Sequence, residues 1–212
     1  MTMSILSAAG APARDSSSMK RIVVFGDSLS AGFMLKQSEA WPMLLADKLR
    51  DAGLIYEIDN YSQNGGTTMS GLSRLGPHLK QKIDIFILEL GINDALISTP
   101  IHEIRNNLQE IIDRVKRLNP SVRLIICGMQ LPDRADDSYL QHFGEIYVDL
   151  AEKNHAVLVP FLLEGVFGNP ALNLFDHIHP NAAGHKIVLE NVWRALEAVA
   201  REASGKQMAH VP

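Results

Sequence analysis

Ile22-Val23-Val24-Phe25-Gly26-Asp27-Ser28-Leu29-Ser30-Ala31-Gly32 is the stretch whose reading decides the fold. A short apolar, largely β-branched run stops at Gly26, the pattern of a buried strand feeding a turn. Ser28 then stands where strand gives way to helix, with its hydroxyl free to point outward. A helix start leaves backbone N–H groups without intrahelical partners and carries a partial positive charge. That suits an oxyanion next to a nucleophile. Asp and Ser are also favoured helix caps, so the block alone describes an ordinary turn equally well. Its partners must decide.

Working outward, Trp41, Leu44, Leu45, Leu49 and Ala52 recur at helical spacing, and Gly53 closes that helix. Ile55 to Tyr61 reads as a second strand, followed by the loop Ser62-Gln63-Asn64-Gly65-Gly66-Thr67 and a helix from about Thr68 to Leu79. Ile83 to Leu90 is a third strand and ends at Gly91-Ile92-Asn93-Asp94. Ile101 to Leu118 is a long amphipathic helix with Ile101, Ile104, Leu108, Ile111, Ile112 and Val115 on one stripe. Val122 to Cys127 is a fourth strand, Tyr139 to Lys153 a helix, and Val157 to Pro160 a short fifth strand. Phe161 to Pro180 holds no long regular element, and Asn181 caps a last helix reaching about Ala203.

Five alternations of strand and helix predict an α/β fold: three layers, α/β/α, around a doubly wound five-stranded parallel sheet. The short chain favours the flavodoxin-like order 2-1-3-4-5. One domain over 19–204 is expected, after a disordered leader, 1–18, and before a flexible tail, 205–212. The leader has a weak apolar patch but no positive region ahead of it. It is therefore read as something other than a secretory signal, and a cytoplasmic location is expected, with a periplasmic or secreted one as the alternative should the leader act as a signal.

Composition excludes several functions. A net charge of −4 offers no basic stripe for nucleic acid. The single cysteine, Cys127, lies in an apolar run and can form no internal disulfide. No apolar run is long enough to span a membrane. No Gly-x-Gly-x-x-Gly follows the first strand and no P-loop occurs, so no nucleotide cofactor is expected.

In a doubly wound sheet the site lies at the carboxyl ends of the strands. Ser28 follows the first strand, Gly65 and Gly66 the second, and Asn93 the third. In the order 2-1-3 the first strand is central, so the glycine loop and Asn93 flank Ser28. A glycine N–H can approach a substrate closely, and an asparagine amide is a donor on a short arm. Taken singly, both segments read equally well as turns or caps. Asp176-His177-Ile178-His179-Pro180 supplies the missing base: an Asp three residues before a His lets one turn set a carboxylate beside the imidazole. His177 is the competing base, and paired histidines also suggest a metal. One loop supplies few ligands, however, and no other group has matching spacing, so no metal is expected. The long segment from Phe161 must carry His179 back across the sheet, and loops of that kind are often functional.

Gly26-Asp27-Ser28-Leu29, the glycine loop, Gly91-x-Asn93-Asp94 and Asp176-x-x-His179-Pro180, in that order, resemble the SGNH (GDSL) hydrolases. Within them the chain is most similar to the bacterial thioesterase I / protease I / lysophospholipase L1 and arylesterase group. Trp41-Pro42, Gly71-Leu72-Ser73-Arg74-Leu75, Leu131-Pro132 and Val159 to Val166 extend the likeness from about Lys20 to Ala200. The resemblance implies Ser28 as nucleophile, His179 as base and Asp176 as its orienter, with Ser28 N–H, Gly65 N–H and the Asn93 side chain as oxyanion hole. The chain has Gly65-Gly66-Thr67 where that group has Gly-Asp-Thr, which keeps Gly66 as an alternative donor. It has Gly91-Ile92-Asn93-Asp94 where the group often has Gly-Gly-Asn-Asp.

The expected activity is hydrolysis of small acyl esters or thioesters, short to medium in chain length, through an acyl-serine. Ala95 to Pro100 and Met129 to Pro132 would border an apolar slot. Leu96, Ile97 and Leu131 are the expected substrate contacts, with Asp27 beside the nucleophile counted among them; each of the three apolar residues could equally pack the core alone. A carbohydrate acetylesterase of the same superfamily is the alternative enzyme. A non-enzymatic flavodoxin-like binding module is the alternative from another class, though Asp27 alone makes a poor acidic cluster and Ser28 to Gly32 a loose phosphate loop.

Overall fold

Ile22, Val23, Val24 and Phe25 are all buried with no exposed face, as a strand needs to be when helices cover both sides of its sheet. A computed structural model of the chain describes residues 19–131 and 138–205. The leader, the tail beyond Gly205 and Pro132 lie outside the described residues.

The strands are β1 (Lys20–Gly26), β2 (Tyr56–Asn60), β3 (Ile85–Glu89), β4 (Arg123–Cys127) and β5 (Val157–Val159). All four pairings are parallel, and the order is β2-β1-β3-β4-β5, as expected from the sequence. The helices are α1 (Ser28–Ala31), α2 (Trp41–Asp51), α3 (Thr68–Arg74), α4 (Ile92–Leu96), α5 (Ile101–Leu118), α6 (Ser138–Asn154) and α7 (Ala182–Ser204).

Crossovers between parallel strands are right-handed. The step from β1 to β2 runs in the opposite direction to the later steps, so α2 falls on one face and α3, α5 and α6 on the other. The packing agrees: α2 lies against α7, while α5 lies against α3 and α6. Ile104, Leu108, Ile111, Ile112 and Val115 form the buried stripe of α5, and Val188, Val192, Leu196 and Val199 that of α7. Cys127 is buried and free. No helix among the described residues is long and apolar enough to cross a membrane.

One expected helix is broken. The segment from Thr68 ends its α-turns at Arg74 and continues as a 3₁₀ turn, Gly76–Leu79. Pro77 has no N–H to give and disfavours helical geometry in the residue before it. Two one-turn helices, α1 and α4, escape sequence periodicity because four or five residues cannot display it.

Candidate active site

The site is assembled from four loops at the carboxyl ends of the strands. Asp27 caps α1: its Oδ1 accepts from Leu29 N at 3.0 Å. This leaves Ser28 as the first helical residue. With a single turn, α1 contributes the N–H of Ser28, which has no partner among the described residues, rather than a sizeable dipole.

The second loop turns tightly at Gly65, φ 69°. Gly66 N–H closes the turn on Gln63 O at 3.0 Å. Gly65 N–H has no hydrogen-bond partner among the described residues, and space beside its Cα is open. The loop is fixed at its far end by Thr67, which caps α3 through Ser70.

The third loop starts at Gly91, whose φ of 125° suits glycine. Asp94 is buried and accepts from Thr68 N at 2.8 Å and Thr68 Oγ1 at 2.6 Å, tying this loop to the second. Burial, outweighing the Thr68 bonds, raises its pKa. Between the loops, Asn93 Nδ2 donates to Gly66 O at 3.0 Å and to Asp27 Oδ2 at 3.2 Å. Both its N–H groups are thus engaged, the longer bond being the one to Asp27.

The fourth loop solves the problem of reach, since β5 lies three strands from β1. The segment after β5 folds back on itself through an antiparallel bridge between Asn173 and Pro180 and a bond from Leu174 N to His179 O at 2.8 Å. Asn173 Nδ2 donates to Val166 O and Asn169 O. Asn181 caps α7 through Ala183 N and Gly184 N, anchoring the loop to the longest helix described.

His179 Nε2 lies 2.8 Å from Ser28 Oγ, and Nδ1 lies 2.6 Å from Asp176 Oδ2. Because the Asp176 carboxylate accepts at Nδ1, that nitrogen carries the proton and Nε2 is left to accept from the serine hydroxyl. Asp176 Oδ1 accepts from Ile178 N and His179 N at 2.9 and 3.0 Å. Partial burial pushes the Asp176 carboxyl up, but these N–H groups and the imidazole outweigh it and hold its pKa low. It therefore stays ionised. His177 stands exposed in a left-handed turn, φ 59°. The ring that reaches Ser28 belongs to His179.

Beside the Ser28–His179 pair lies a cavity of about 610 Å³, bounded by their chain neighbours Leu29 and Ile178 and by Ala95, Leu96, Met129 and Leu131. Its size is that of a small-ligand pocket, for which roughly 300–1,000 Å³ is usual. Leu96 and Leu131 thus fall where the sequence placed them. Ile97 does not line the cavity and is 70% exposed. Asp27 is a correction: it is wholly buried, and its oxygens hold Leu29 and Asn93. It supports the site from behind and cannot touch a substrate.

Sequence reading missed three neighbours. Phe33 lies against the His179 ring, a contact no local pattern announces. Arg74 Nη2 donates to Gly26 O at 2.8 Å, and its guanidinium sits 3.9 Å over the Phe25 ring. Glu89 is buried under Asp27; a charge closing an otherwise apolar strand was the signal. Among the described residues no group of three His, Cys, Asp or Glu side chains is arranged to hold a metal ion.

Comparison with known proteins places these features in company. The family model described as the GDSL-like lipase/acylhydrolase family matches residues 24–187. Esterase TesA of Pseudomonas aeruginosa is 34% identical over 177 residues, covering 83% of this chain and 87% of that protein. Thioesterase 1/protease 1/lysophospholipase L1 of Escherichia coli K12 is 33% identical over 184 residues, 86% of each. The crystal structure of TesA superposes with a TM-score of 0.80 at 34% identity, over 85% of this chain and 99% of that one. AlinE4, an SGNH-hydrolase family esterase, gives a TM-score of 0.70 at 36% identity, over 88% of this chain and 97% of that one.

Proposed function

The chain belongs to the GDSL-like lipase/acylhydrolase family, and from that premise we propose that it is a serine hydrolase that cleaves carboxylic esters and thioesters through an acyl-Ser28 intermediate. The observation that carries this reading is the continuous relay Ser28 Oγ–His179 Nε2–His179 Nδ1–Asp176 Oδ2, with links of 2.8 and 2.6 Å.

Ser28 Oγ bonds to the substrate carbonyl carbon while its proton passes to His179 Nε2. The carbonyl oxygen becomes an oxyanion facing Ser28 N–H, Gly65 N–H and the Asn93 amide. Gly65 is preferred over Gly66 because Gly66 N–H already closes the loop. The imidazolium formed on His179 is stabilised by ionised Asp176. The C–O or C–S bond then breaks, and the alcohol or thiol leaves with the Nε2 proton. Water repeats the sequence: it yields a proton to Nε2, attacks the acyl carbon, and Ser28 leaves with that proton.

Asn93 has to share or release an N–H to serve the oxyanion, and the bond to Asp27 at 3.2 Å is the one that gives more easily. Such donors are each worth roughly 10²–10³ in kcat.

The cavity favours an apolar acyl chain of short-to-medium length over a sugar. Its walls are mainly Leu, Ile, Met, Ala and Phe side chains, with Ser98, Gln130 and Tyr139 among the few polar ones. A series of p-nitrophenyl esters and acyl thioesters of increasing chain length tests this. Activity rising from acetyl toward medium chains supports it; highest activity on acetylated oligosaccharides overturns it. A location in the cytoplasm is proposed on the leader composition, and fractionation of cells expressing the full chain tests it.

A further inference from the structure

We propose that Glu89 is a positioning residue for the oxyanion-stabilising amide, acting through Asp27: its un-ionised carboxyl donates to the Asp27 carboxylate, which sets how firmly Asn93 is held. The inference rests on the roles given above to Ser28 and Asn93.

Glu89 closes β3, whose other residues, Ile85 to Leu88, are all apolar and buried, and it is itself wholly buried. Its Oε2 accepts from Asp27 N at 3.1 Å and Ser30 Oγ at 2.7 Å. Its Oε1 is buried and meets no donor. The neighbouring ionisable side chain is another carboxyl, that of Asp27, whose main-chain N–H Glu89 already holds. Two ionised carboxylates cannot share a dry site, so one of them keeps a proton. Both Asp27 oxygens already accept, from Leu29 N and from Asn93 Nδ2. The oxygen without a donor belongs to Glu89, so the proton sits there and the charge on Asp27.

The surroundings agree. Burial raises the pKa of Asp27 to about 7 and that of Glu89 well above the carboxylate range, each further raised by a neighbouring carboxylate (Asp94 beside Asp27, Asp27 beside Glu89). Arg74 is the cation that acts on both, and it balances the single negative charge of the pair. Tyr147 and Cys127 also lie in the electrostatic reach of Glu89, and burial keeps both un-ionised.

The backbone has been shaped to admit this acid. Gly26 pairs with Glu89 in the β1–β3 register, and a Cβ on Gly26 would lie 2.3 Å from Glu89 Oε2. Gly26 does not need to be glycine for a positive φ. It needs to be glycine because the carboxyl occupies the space of a side chain.

The consequence is electrostatic. A bare Asp27 carboxylate would grip the Asn93 amide and oppose negative charge forming on the substrate oxygen. A proton donated by Glu89 draws charge off Asp27 and leaves its bond to Asn93 long, at 3.2 Å. The amide can then be shared with the oxyanion.

The test is kcat and KM for p-nitrophenyl butyrate with the full chain and with E89Q, E89A, N93A, E89A/N93A and S28A, folded protein being quantified by circular dichroism. Glutamine reproduces the geometry, since its carbonyl accepts from Asp27 N and Ser30 while its amide donates to Asp27. The expected result is E89Q within about threefold of wild-type kcat, and E89A down at least about tenfold with KM changed less than about threefold. On the N93A background the E89A loss should shrink to about twofold or less, because the amide it positions is gone. The inference is overturned if E89Q is as impaired as E89A, or if E89A costs the same factor with Asn93 absent. Wild-type hydrolysis by S28A would instead remove the site assignment beneath it.

Discussion

Phe33 lies against the imidazole of His179, with ring centroids 4.5 Å apart and planes inclined at 37°. The histidine comes from the loop before α7, while Phe33 lies in the turn just after α1, which carries the nucleophile. The nucleophile's own loop therefore supplies the wall against which the base is set. Removing that wall frees the ring to rotate away from Ser28 Oγ. F33A should lower kcat about tenfold by degrading alignment, with a melting temperature close to wild type. Stopped-flow acylation with p-nitrophenyl acetate checks it, and the loss should fall on the acylation step.

The fold was legible where patterns are long. Five strands and the stripes of α2 and α5 follow from period and length, the start of α7 from its cap at Asn181, and the sheet order from chain length. The site was legible where chemistry needs a residue type: a serine after β1, Asn93 after β3, and Asp176 three residues before His179. What escaped was set by packing in three dimensions. Asp27 reads as a neighbour of the nucleophile, but the turn after β1 points its carboxyl inward to cap α1 and meet Glu89. Ile97 sits among cavity-lining residues in sequence, yet the end of α4 turns it outward. Pro77 carried a helix-breaking signal inside the helix expected from Thr68 to Leu79.

The carboxyl pair makes stability depend on pH. Asp27 has a folded pKa of about 7 against an ordinary 3.8, so the folded state binds more protons than the unfolded state between those values. Stability from this source falls as pH rises through that window, and further where Glu89 gives up its proton. Burial and the nearby His179 lower His185 to about 4 from 6.5, which acts oppositely: its contribution rises with pH up to about 6.5. Burial also raises Asp94, in the same sense as the pair. The difference between E89Q and wild type isolates the pair. Thermal melts from about pH 5 to about pH 8 should show E89Q gaining on wild type as pH rises.

Gly91 precedes the helical turn that carries Asn93, and a Cβ there would lie 2.3 Å from Tyr147 Oη. Tyr147 is fully packed and donates to Leu90 O at 3.0 Å, so it cannot withdraw cheaply. Alanine at this position also meets an unfavourable φ of 125°. G91A should cost about 2–4 kcal/mol of stability, measured by urea unfolding, and should lower activity by displacing Asn93.

Ala95 projects from α4 into the cavity and is nearly buried. A95F should fill the part of the cavity that takes the acyl chain. Hydrolysis of acetyl and butyryl esters should stay within about threefold of wild type, while kcat/KM for octanoyl and longer esters falls about tenfold or more. A chain-length series run side by side on the two proteins reads this directly.

The central claim is that Ser28 carries the acyl group. A fluorophosphonate probe followed by peptide mass mapping tests it most directly, with S28A as control. One label per chain on the peptide containing Ser28, together with loss of both label and ester hydrolysis in S28A, is the predicted result. A label on another residue, or p-nitrophenyl ester hydrolysis by S28A at the wild-type rate, would contradict it.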